Sequence, residues 1–237
     1  MIQEIRIKNY LSFRDEAVLS FEATKDTTFE ECQVVNVTPK VRLLRFALIY
    51  GANGSGKSNL LNAMDFLCGF WFDKKSDIDE ETGVLPFLLD TETPNEPSEF
   101  NIKFFVDDKR YWYTLVLNDK QVIKENLYVY NSVQPSLVFS RELDGTASLI
   151  KLNASLVKAN ATIVEQLNVK CLSNMSFFAA RNQVNCSLAY IDEVRDWMKN
   201  NMMPIIEPGT RMFEYAGKQM EKNAELKAYI LDFVHKA

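Results

Sequence analysis

Apolar residues follow two different periods along this chain. From Ser98 to Lys151 they occupy every second position, and Asp-Asp, Asn-Asp and Asp-Gly turns interrupt them at regular intervals. Such alternation predicts an antiparallel β meander, which we place over residues 98–152. In the last third of the chain apolar residues recur at three- and four-residue spacing, which predicts helices near Leu188–Met198 and from about Asn223 to Lys236. We therefore expect a helical segment over residues 153–237.

The first third of the chain predicts strands and a helix around a glycine-rich turn. Residues 1–21 alternate between apolar and polar positions on both sides of a short turn, which predicts a pair of strands. The run from Phe46 to Tyr50 predicts a buried strand, and periodic apolar residues after Lys57 predict a helix that opens there. We expect residues 1–72 to form a nucleotide-binding core and the polar, turn-rich residues 73–97 to link it to the meander.

The turn between that strand and that helix carries a phosphate-binding pattern. Its letters, GANGSGKS from Gly51 to Ser58, fit G-x-x-x-x-G-K-[ST] at every fixed position. Glycines let the backbone approach a phosphate, and the N–H groups of Asn53 to Lys57 would form an anion nest at the positive end of a helix. Lys57 is the candidate catalytic residue because its charge suits the β- and γ-phosphates, and the Ser58 hydroxyl suits Mg²⁺. The candidate nucleotide-binding residues are Asn53, Gly54, Ser55, Gly56, Lys57, Ser58 and Asn59.

Composition narrows the function classes further. The 27 basic and 32 acidic residues leave a net charge of −5, and no basic run exceeds two residues, so no nucleic-acid-binding face is visible. The single histidine, His235, argues against a histidine-based triad or a multi-histidine metal site. The four cysteines lack C-x-x-C spacing, the amino terminus lacks a signal-peptide core, and no apolar run reaches the ~18 residues of a membrane span. These features predict reduced thiols, no membrane segment and a cytoplasmic location.

The order of motifs along the chain resembles a known family. NYLSF at Asn9–Phe13 precedes RFALIYGANGSGKSNLLNAM, a P-F-x-L stretch follows at Pro86–Leu89, and P-S-x-F-x-I-x-F follows at Pro97–Phe104. An I-x-E-x-L strand from Ile123 to Leu127 and a helix ending near Trp197 complete the run. The chain resembles the amino-terminal lobe of ABC/SMC/RecF-type ATPases. More narrowly, it is similar to the AAA family ATPases of bacterial anti-phage and abortive-infection systems, relatives of the overcoming-lysogenisation-defect and retron-associated ATPases.

The resemblance implies an α/β fold of the P-loop NTPase class, with an ABC/SMC-head-like amino-terminal lobe, an antiparallel β meander and a helical carboxy-terminal segment. It also implies ATP and Mg²⁺ as cofactors, and a homodimer or higher oligomer in which a second subunit closes over the nucleotide. An effector nuclease or toxin is a further implied partner. The absence of an N-K-x-D guanine-reading motif favours ATP over GTP.

Several residues that the family uses for hydrolysis are not evident here. The signature loop, the Walker B Asp-Glu pair and the switch histidine are expected to lie beyond Ala237. No glutamine lies between the phosphate-loop helix and the meander, which leaves Asp90 as the candidate for the Q-loop role. An alternative is a complete but degenerate ABC cassette, in which Leu188–Glu193 would be Walker B, Leu172–Ser176 the signature and His235 the switch. The helical spacing that continues through Val194, Trp197 and Met198 argues against this alternative.

Other functions stay open at this point. A nucleotide-gated scaffold would bind ATP and clamp DNA or a partner without turnover, and the missing hydrolytic residues favour it for the chain as given. A small-molecule kinase would need an arginine-rich lid, whereas the region after the loop predicts an aromatic meander. Trp112 could belong to a base-stacking platform, but alternating aromatic residues in a meander are typical of cross-strand packing.

Overall fold

The computed structural model describes residues 1–203, 205–207 and 209–236. They divide into two units, Met1–Pro204 and Ile205–Ala237.

The first unit is built on a seven-stranded antiparallel sheet with the order β2-β1-β5-β6-β7-β8-β9. Its strands are β1 (Ile2–Lys8), β2 (Ala17–Ser20), β5 (Ser98–Val106), β6 (Lys109–Leu117), β7 (Val122–Tyr130), β8 (Ser136–Asp144) and β9 (Ala147–Leu152). The predicted meander and the predicted amino-terminal strand pair are therefore confirmed. They form one sheet because β1 pairs with β2 on one side and with the first meander strand on the other.

The alternation of side chains decides which face of the sheet holds the core. Tyr111 and Tyr113 of β6 point inward and are fully buried, whereas Trp112 between them points to the other face. There it stacks on Tyr128 of β7 with ring centroids 4.8 Å apart. This pair is the cross-strand packing that the aromatic alternation indicated.

A second, smaller sheet precedes the phosphate loop. It consists of β3 (Val34–Thr38) and β4 (Val41–Leu44). A single helical turn, α1 (Glu30–Gln33), leads into this hairpin.

The helices of the first unit are α2 (Lys57–Phe70), α3 (Ala161–Lys170), α4 (Phe177–Arg181) and α5 (Ile191–Asn201), and a short 3₁₀ turn spans Thr93–Asn95. Helix α2 begins at Lys57 as predicted, and it buries Ala63, Leu67 and Phe70 in the core. Helix α3 is capped by the Asn160 side chain, which accepts a hydrogen bond from the Ile163 N–H. The second unit contains α6 (Phe213–Lys222) and α7 (Ala224–Lys236), and α7 matches the predicted terminal helix.

A buried ion pair anchors the connection between α3 and α4 to the sheet. Arg141 of β8 and Glu125 of β7 are both fully buried, with Nη1 and Oε2 3.2 Å apart. Arg141 also donates to the carbonyl oxygens of Leu172, Ser173 and Met175. The connection is therefore held by side-chain hydrogen bonds, although it has no regular secondary structure.

One predicted element is wrong. The run Phe46–Tyr50 is not a buried strand: it belongs to neither sheet, and all five of its residues are exposed. The ladder between β3 and β4 ends at Leu44, after which the Arg45 N–H donates to the Gln33 carbonyl. Beyond that point, no strand of the described residues lies beside the run to pair with it. An apolar sequence predicts burial, but burial needs a neighbouring surface.

The stretch predicted as a linker makes specific contacts along part of its length. Its first half, from Asp73 to Glu81, is largely exposed. Thr82 donates to the carbonyl of Asn118 through its hydroxyl, and Val84 and Thr93 are buried. The predicted domain boundaries stay predictions.

Candidate functional site

The candidate site is the loop from Gly51 to Gly56 and the first turn of α2. Gly54 and Gly56 have φ values of 79° and 88°, in the left-handed region that favours glycine. This conformation turns the chain back on itself directly before the helix. The glycines of the sequence pattern therefore stand where the backbone geometry requires them.

The turn at Asn9–Phe13 supports the loop from behind. A Cβ added to Gly56 would lie 3.0 Å from the Ser12 Oγ and 3.5 Å from the Phe13 ring. The Asn59 side-chain amide donates to the same Ser12 hydroxyl over 2.9 Å. Ser12 is thus a supporting residue of the site that the phosphate-loop pattern did not reveal, although it lies within the NYLSF stretch.

Asn9 and Tyr10 fix this supporting turn to the rest of the first unit. The buried Asn9 amide donates to the carbonyls of Thr93 and Glu96, and its oxygen accepts from the Phe87 N–H. The Tyr10 hydroxyl donates to the Asn62 carbonyl of α2 over 3.2 Å, and burial raises the pKa of Tyr10 to about 12. The turn and the start of the helix therefore form one rigid support for the loop.

The loop presents unpaired donors on its open side. In the part of the chain that the structure describes, no hydrogen bond uses the N–H groups of Asn53, Gly54 or Gly56. The first N–H groups of α2 also lack intrahelical acceptors, as at any helix amino terminus. These donors, together with the positive end of the helix dipole, make a site for an anionic group such as a phosphate.

Lys57 folds back over the loop. Its Nζ donates to the carbonyl oxygens of Gly51 and Ala52 over 2.9 and 2.7 Å. Neutral carbonyls are weaker partners for an ammonium group than phosphate oxygens, so a bound triphosphate could draw the lysine away from them.

The predicted site residues are adjacent in space, but they are not equivalent. Asn53, Gly54, Ser55 and Ser58 are exposed, and the Ser58 hydroxyl is free to act as a metal ligand among the described residues. Asn59 is half-buried, and its side chain is engaged with Ser12. Asn59 thus serves the support of the loop, and only its backbone N–H is left to face a nucleotide.

Asp90 performs a local structural task. One carboxylate oxygen accepts from the N–H groups of Glu92 and Thr93, and the other accepts from the Thr93 hydroxyl. The hydrogen bonds from Thr93 hold the pKa of Asp90 below its usual range. With both oxygens engaged in hydrogen bonds to Glu92 and Thr93 at the start of the 3₁₀ turn, Asp90 is a poor candidate for the Q-loop role.

The segment that spells a Walker B pattern is not a strand. Asp192 and Glu193 lie in the first turn of α5, as the helical spacing predicted, and both are half-buried. Asp192 accepts two hydrogen bonds from Arg181 and one from the Leu188 N–H, and Glu193 pairs with Lys109 over 2.8 Å. Both carboxylates therefore have partners already, and these contacts hold the first turn of α5 in place.

The segment that faintly resembles a signature loop is inaccessible to a second subunit. Residues 173–176 are buried, and three carbonyls of the stretch bind Arg141. His235, the switch residue of the same alternative, lies in α7 of the second unit. The geometry of the first unit therefore argues against the complete-cassette alternative.

One open cavity of about 570 Å³ has no residue of the phosphate loop in its lining. It is lined by Met1, Phe105, Trp197 and the carboxylates of Asp107, Glu193 and Asp196. Three carboxylates repel a triphosphate, so this cavity is not a nucleotide site. Among the described residues there is also no group of three or more His, Cys, Asp or Glu side chains that could hold a metal ion.

No helix of the described residues has the length and apolar character needed to cross a membrane.

Comparison with known proteins agrees with the loop geometry. Residues 46–151 match the model of a protein family described as "AAA domain, putative AbiEii toxin, Type IV TA system". No curated protein shows a significant match to the chain. The matched stretch begins at the exposed run before the phosphate loop and ends in the last strand of the meander.

Proposed function

We propose, on the premise that residues 46–151 form an AAA domain of this family, that the chain is the ATP-binding lobe of an ABC/SMC-like ATPase. An AAA domain implies nucleotide binding. In the part of the chain that the structure describes, the phosphate loop is the candidate site for the nucleotide. In this proposal the N–H groups of Asn53 to Lys57 hold the phosphates, Lys57 stabilises charge on the β- and γ-phosphates, and Ser58 is a ligand of Mg²⁺.

The observation that carries the proposal is that several hydrogen-bond donors of the loop have no acceptor. The N–H groups of Asn53, Gly54 and Gly56 have no acceptor among the described residues, and Lys57 is held only by carbonyls of the same loop. These donors lie at a helix start, where unpaired N–H groups and the positive end of the helix dipole favour an anionic ligand.

A non-hydrolysing binding module is the second candidate, and a specific observation favours it for the isolated chain. No carboxylate of residues 1–203, 205–207 or 209–236 forms an ion pair with Lys57. The Asp192 and Glu193 carboxylates, which spell the hydrolytic pattern, are engaged with Arg181 and Lys109. We therefore expect this chain alone to bind ATP and to hydrolyse it poorly.

The biological role follows from the family's description and is part of the proposal. The ATPase lobe would couple its nucleotide state to an effector such as a toxin or nuclease in phage defence, within a homodimer or higher oligomer. Closure by a second subunit is supported by the open side of the loop, where the residues from Gly51 to Ser55 are all exposed.

The experiment that tests the proposal is ATP binding by Lys57→Ala, measured by calorimetry with Mg·ATP. A hydrogen bond to a charged group contributes about 1.5–3 kcal/mol, so Kd should rise at least about tenfold. The matched control is Lys120→Ala, because Lys120 is an exposed lysine in the turn between β6 and β7. We expect Lys120→Ala to bind Mg·ATP as tightly as the parent chain does. The proposed site would be refuted if Lys57→Ala did so too.

Glu193→Gln separates the two candidate functions from the complete-cassette alternative. We expect it to leave nucleotide affinity and turnover unchanged, because Glu193 pairs with Lys109 at the surface of the first unit. A stable ATP-bound dimer in this variant would mean that Glu193 is the catalytic acid, and the complete-cassette alternative would then replace our proposal.

A further inference from the structure

The open cavity beside Trp197, here called the acidic cavity, lies between three elements of the first unit. Its walls are α5, the end of β5 with the turn that follows it, and β3. Its volume of about 570 Å³ falls within the range of small-molecule sites, about 300–1,000 Å³. The polar and aromatic groups among its lining residues include three carboxylates, two carboxamides and an indole, from Asp107, Glu193, Asp196, Asn200, Asn201 and Trp197.

Each of the three carboxylates keeps at least one oxygen for a ligand. Hydrogen bonds among the described residues use only Oε2 of Glu193 and only Oδ1 of Asp196, and none uses the Asp107 carboxylate. Lys109 pairs with Glu193 and Arg195 pairs with Asp196, but both ion pairs are partly exposed. Because water screens such pairs, they contribute little and a ligand can compete with them.

The electrostatic character of the acidic cavity favours a cation. The ammonium group in its lining, at Met1, already donates to the Phe105 carbonyl over 2.6 Å, and the three carboxylates outnumber it. Asn200 and Asn201 form the carboxy-terminal end of α5, so the negative end of the helix dipole meets the same space.

The spacing of the carboxylates argues for an extended organic cation and against a metal ion. Within the part of the chain that the structure describes, no three His, Cys, Asp or Glu side chains are grouped so that they could hold a metal ion. Glu193 and Asp196 are one turn apart on α5, with about 5–6 Å between their Cβ atoms, and Asp107 belongs to another wall. Charges spread in this way match a ligand whose positive groups are separated by an apolar stem.

Two aromatic side chains add chemistry that suits an ammonium group. Trp197 stacks on Phe104 with ring centroids 4.4 Å apart, and its indole also lines the cavity, where it offers a cation–π contact. Tyr111 of β6 is fully buried, and its hydroxyl has no hydrogen-bond partner. Burial and the nearby Glu193 carboxylate raise the pKa of Tyr111. Because buried hydroxyls are normally paired, an N–H donor brought to Glu193 would supply the partner that this oxygen lacks.

We propose that the acidic cavity binds a linear aliphatic diamine or polyamine, with one ammonium group between Glu193 and Asp196 and another at Asp107. The apolar stem of the ligand would lie against the Trp197 indole. This inference goes beyond the proposed function and rests on none of the phosphate-loop residues. Amine binding and ATP binding can therefore succeed or fail separately.

Calorimetric titration of the whole chain with butane-1,4-diamine and with n-butylamine tests the ligand class, at an ionic strength of about 0.15 M. The diamine should bind at a single saturable site, and n-butylamine should bind at least about tenfold more weakly because it carries only one ammonium group. Equal affinity of the two amines would mean that the cavity takes a single basic group, such as a lysine side chain of a protein. That result, the absence of saturable diamine binding, or equal competition by Mg²⁺ would each overturn the proposal.

Two aspartate variants locate the amine. Asp196→Asn should raise the Kd for butane-1,4-diamine at least about tenfold, the equivalent of about 1.4 kcal/mol, because it removes one charged acceptor. Asp196 is exposed, so the folded chain tolerates the change. The matched control is Asp108→Asn, an exposed residue next to Asp107 that does not line the cavity, and its Kd should stay within about twofold of the parent value.

The same variant separates amine binding from nucleotide binding. The Kd of Asp196→Asn for Mg·ATP should stay within about twofold of the parent value, since the cavity has no phosphate-loop residue in its lining. Undiminished diamine binding in Asp196→Asn, or an equal loss in Asp108→Asn, would refute the amine site whatever the ATP titration shows.

Discussion

The Arg141–Glu125 ion pair offers the sharpest test of what holds the first unit together. We consider Arg141→Met, which keeps a long side chain and removes the guanidinium group. The change leaves the Glu125 carboxylate buried without its cation, and it removes the donors to the carbonyls of Leu172, Ser173 and Met175. Desolvation raises the pKa of Glu125, which shows how strongly this site disfavours an unpaired charge.

The expected loss follows from the burial of the pair. Removing one partner of a buried ion pair costs about 3–5 kcal/mol. Glu125 keeps hydrogen bonds from the Tyr113 hydroxyl and the Phe177 N–H, at 2.9 and 2.8 Å, so we expect the lower end of that range. For a unit of this size about 3 kcal/mol corresponds to a fall in Tm of roughly 6–12 °C.

The same two strands provide the control. Lys124 and Glu142 lie one residue from Glu125 and Arg141 in the register, but on the opposite, exposed face, where both side chains are about half accessible. Lys124→Met should cost no more than about 1 kcal/mol, because water screens an exposed pair. Thermal and urea unfolding followed by circular dichroism measure both variants. Equal losses in the two, or a loss below about 1 kcal/mol in Arg141→Met, would refute the reasoning.

Two further predictions concern the loop and the sheet. Gly56→Ala should lower stability by about 1–2 kcal/mol and weaken ATP binding, because φ is 88° and the new Cβ would meet the Ser12 hydroxyl at 3.0 Å. Gly69→Ala in the same helix meets nothing within 4 Å and should be neutral or stabilising in the same unfolding and titration assays, so equal effects would contradict the loop geometry. Glu4 has a pKa lowered from 4.5 to about 2, chiefly by its hydrogen bonds with Arg6. Its contribution to stability is therefore complete above pH 4.5 and is lost as the pH falls toward 2, and urea titrations should show a smaller acid loss in Glu4→Gln than in the parent chain. Parallel acid profiles would contradict the assignment.

Local pattern was sufficient for much of the fold and for the centre of the site. The alternation from Ser98 to Lys151 predicted the meander because side chains of a strand point to opposite faces in turn. GANGSGKS predicted both the phosphate loop and the helix start at Lys57, since the glycines that a left-handed backbone needs are visible in the letters. The spacing after Ile191 likewise identified Asp192 and Glu193 as helical.

Contacts between residues that are distant in sequence could not be predicted from local patterns. The support of Gly56 by Ser12 joins residues 44 positions apart, and no periodic signal connects them. Arg141 holds the carbonyls of a connection about 30 residues away, which depends on where β8 lies in the sheet.

The sequence by itself thus predicted the phosphate-loop pattern, the strands of the meander and the helix that begins at Lys57, because each of these depends on residues close in sequence. Only the tertiary structure decided what surrounds them. The run Phe46–Tyr50 shows the difference most clearly: its letters predict a strand of the core, and in the folded chain it lies exposed. Burial is a property of two surfaces, and the sequence of one segment describes only one of them.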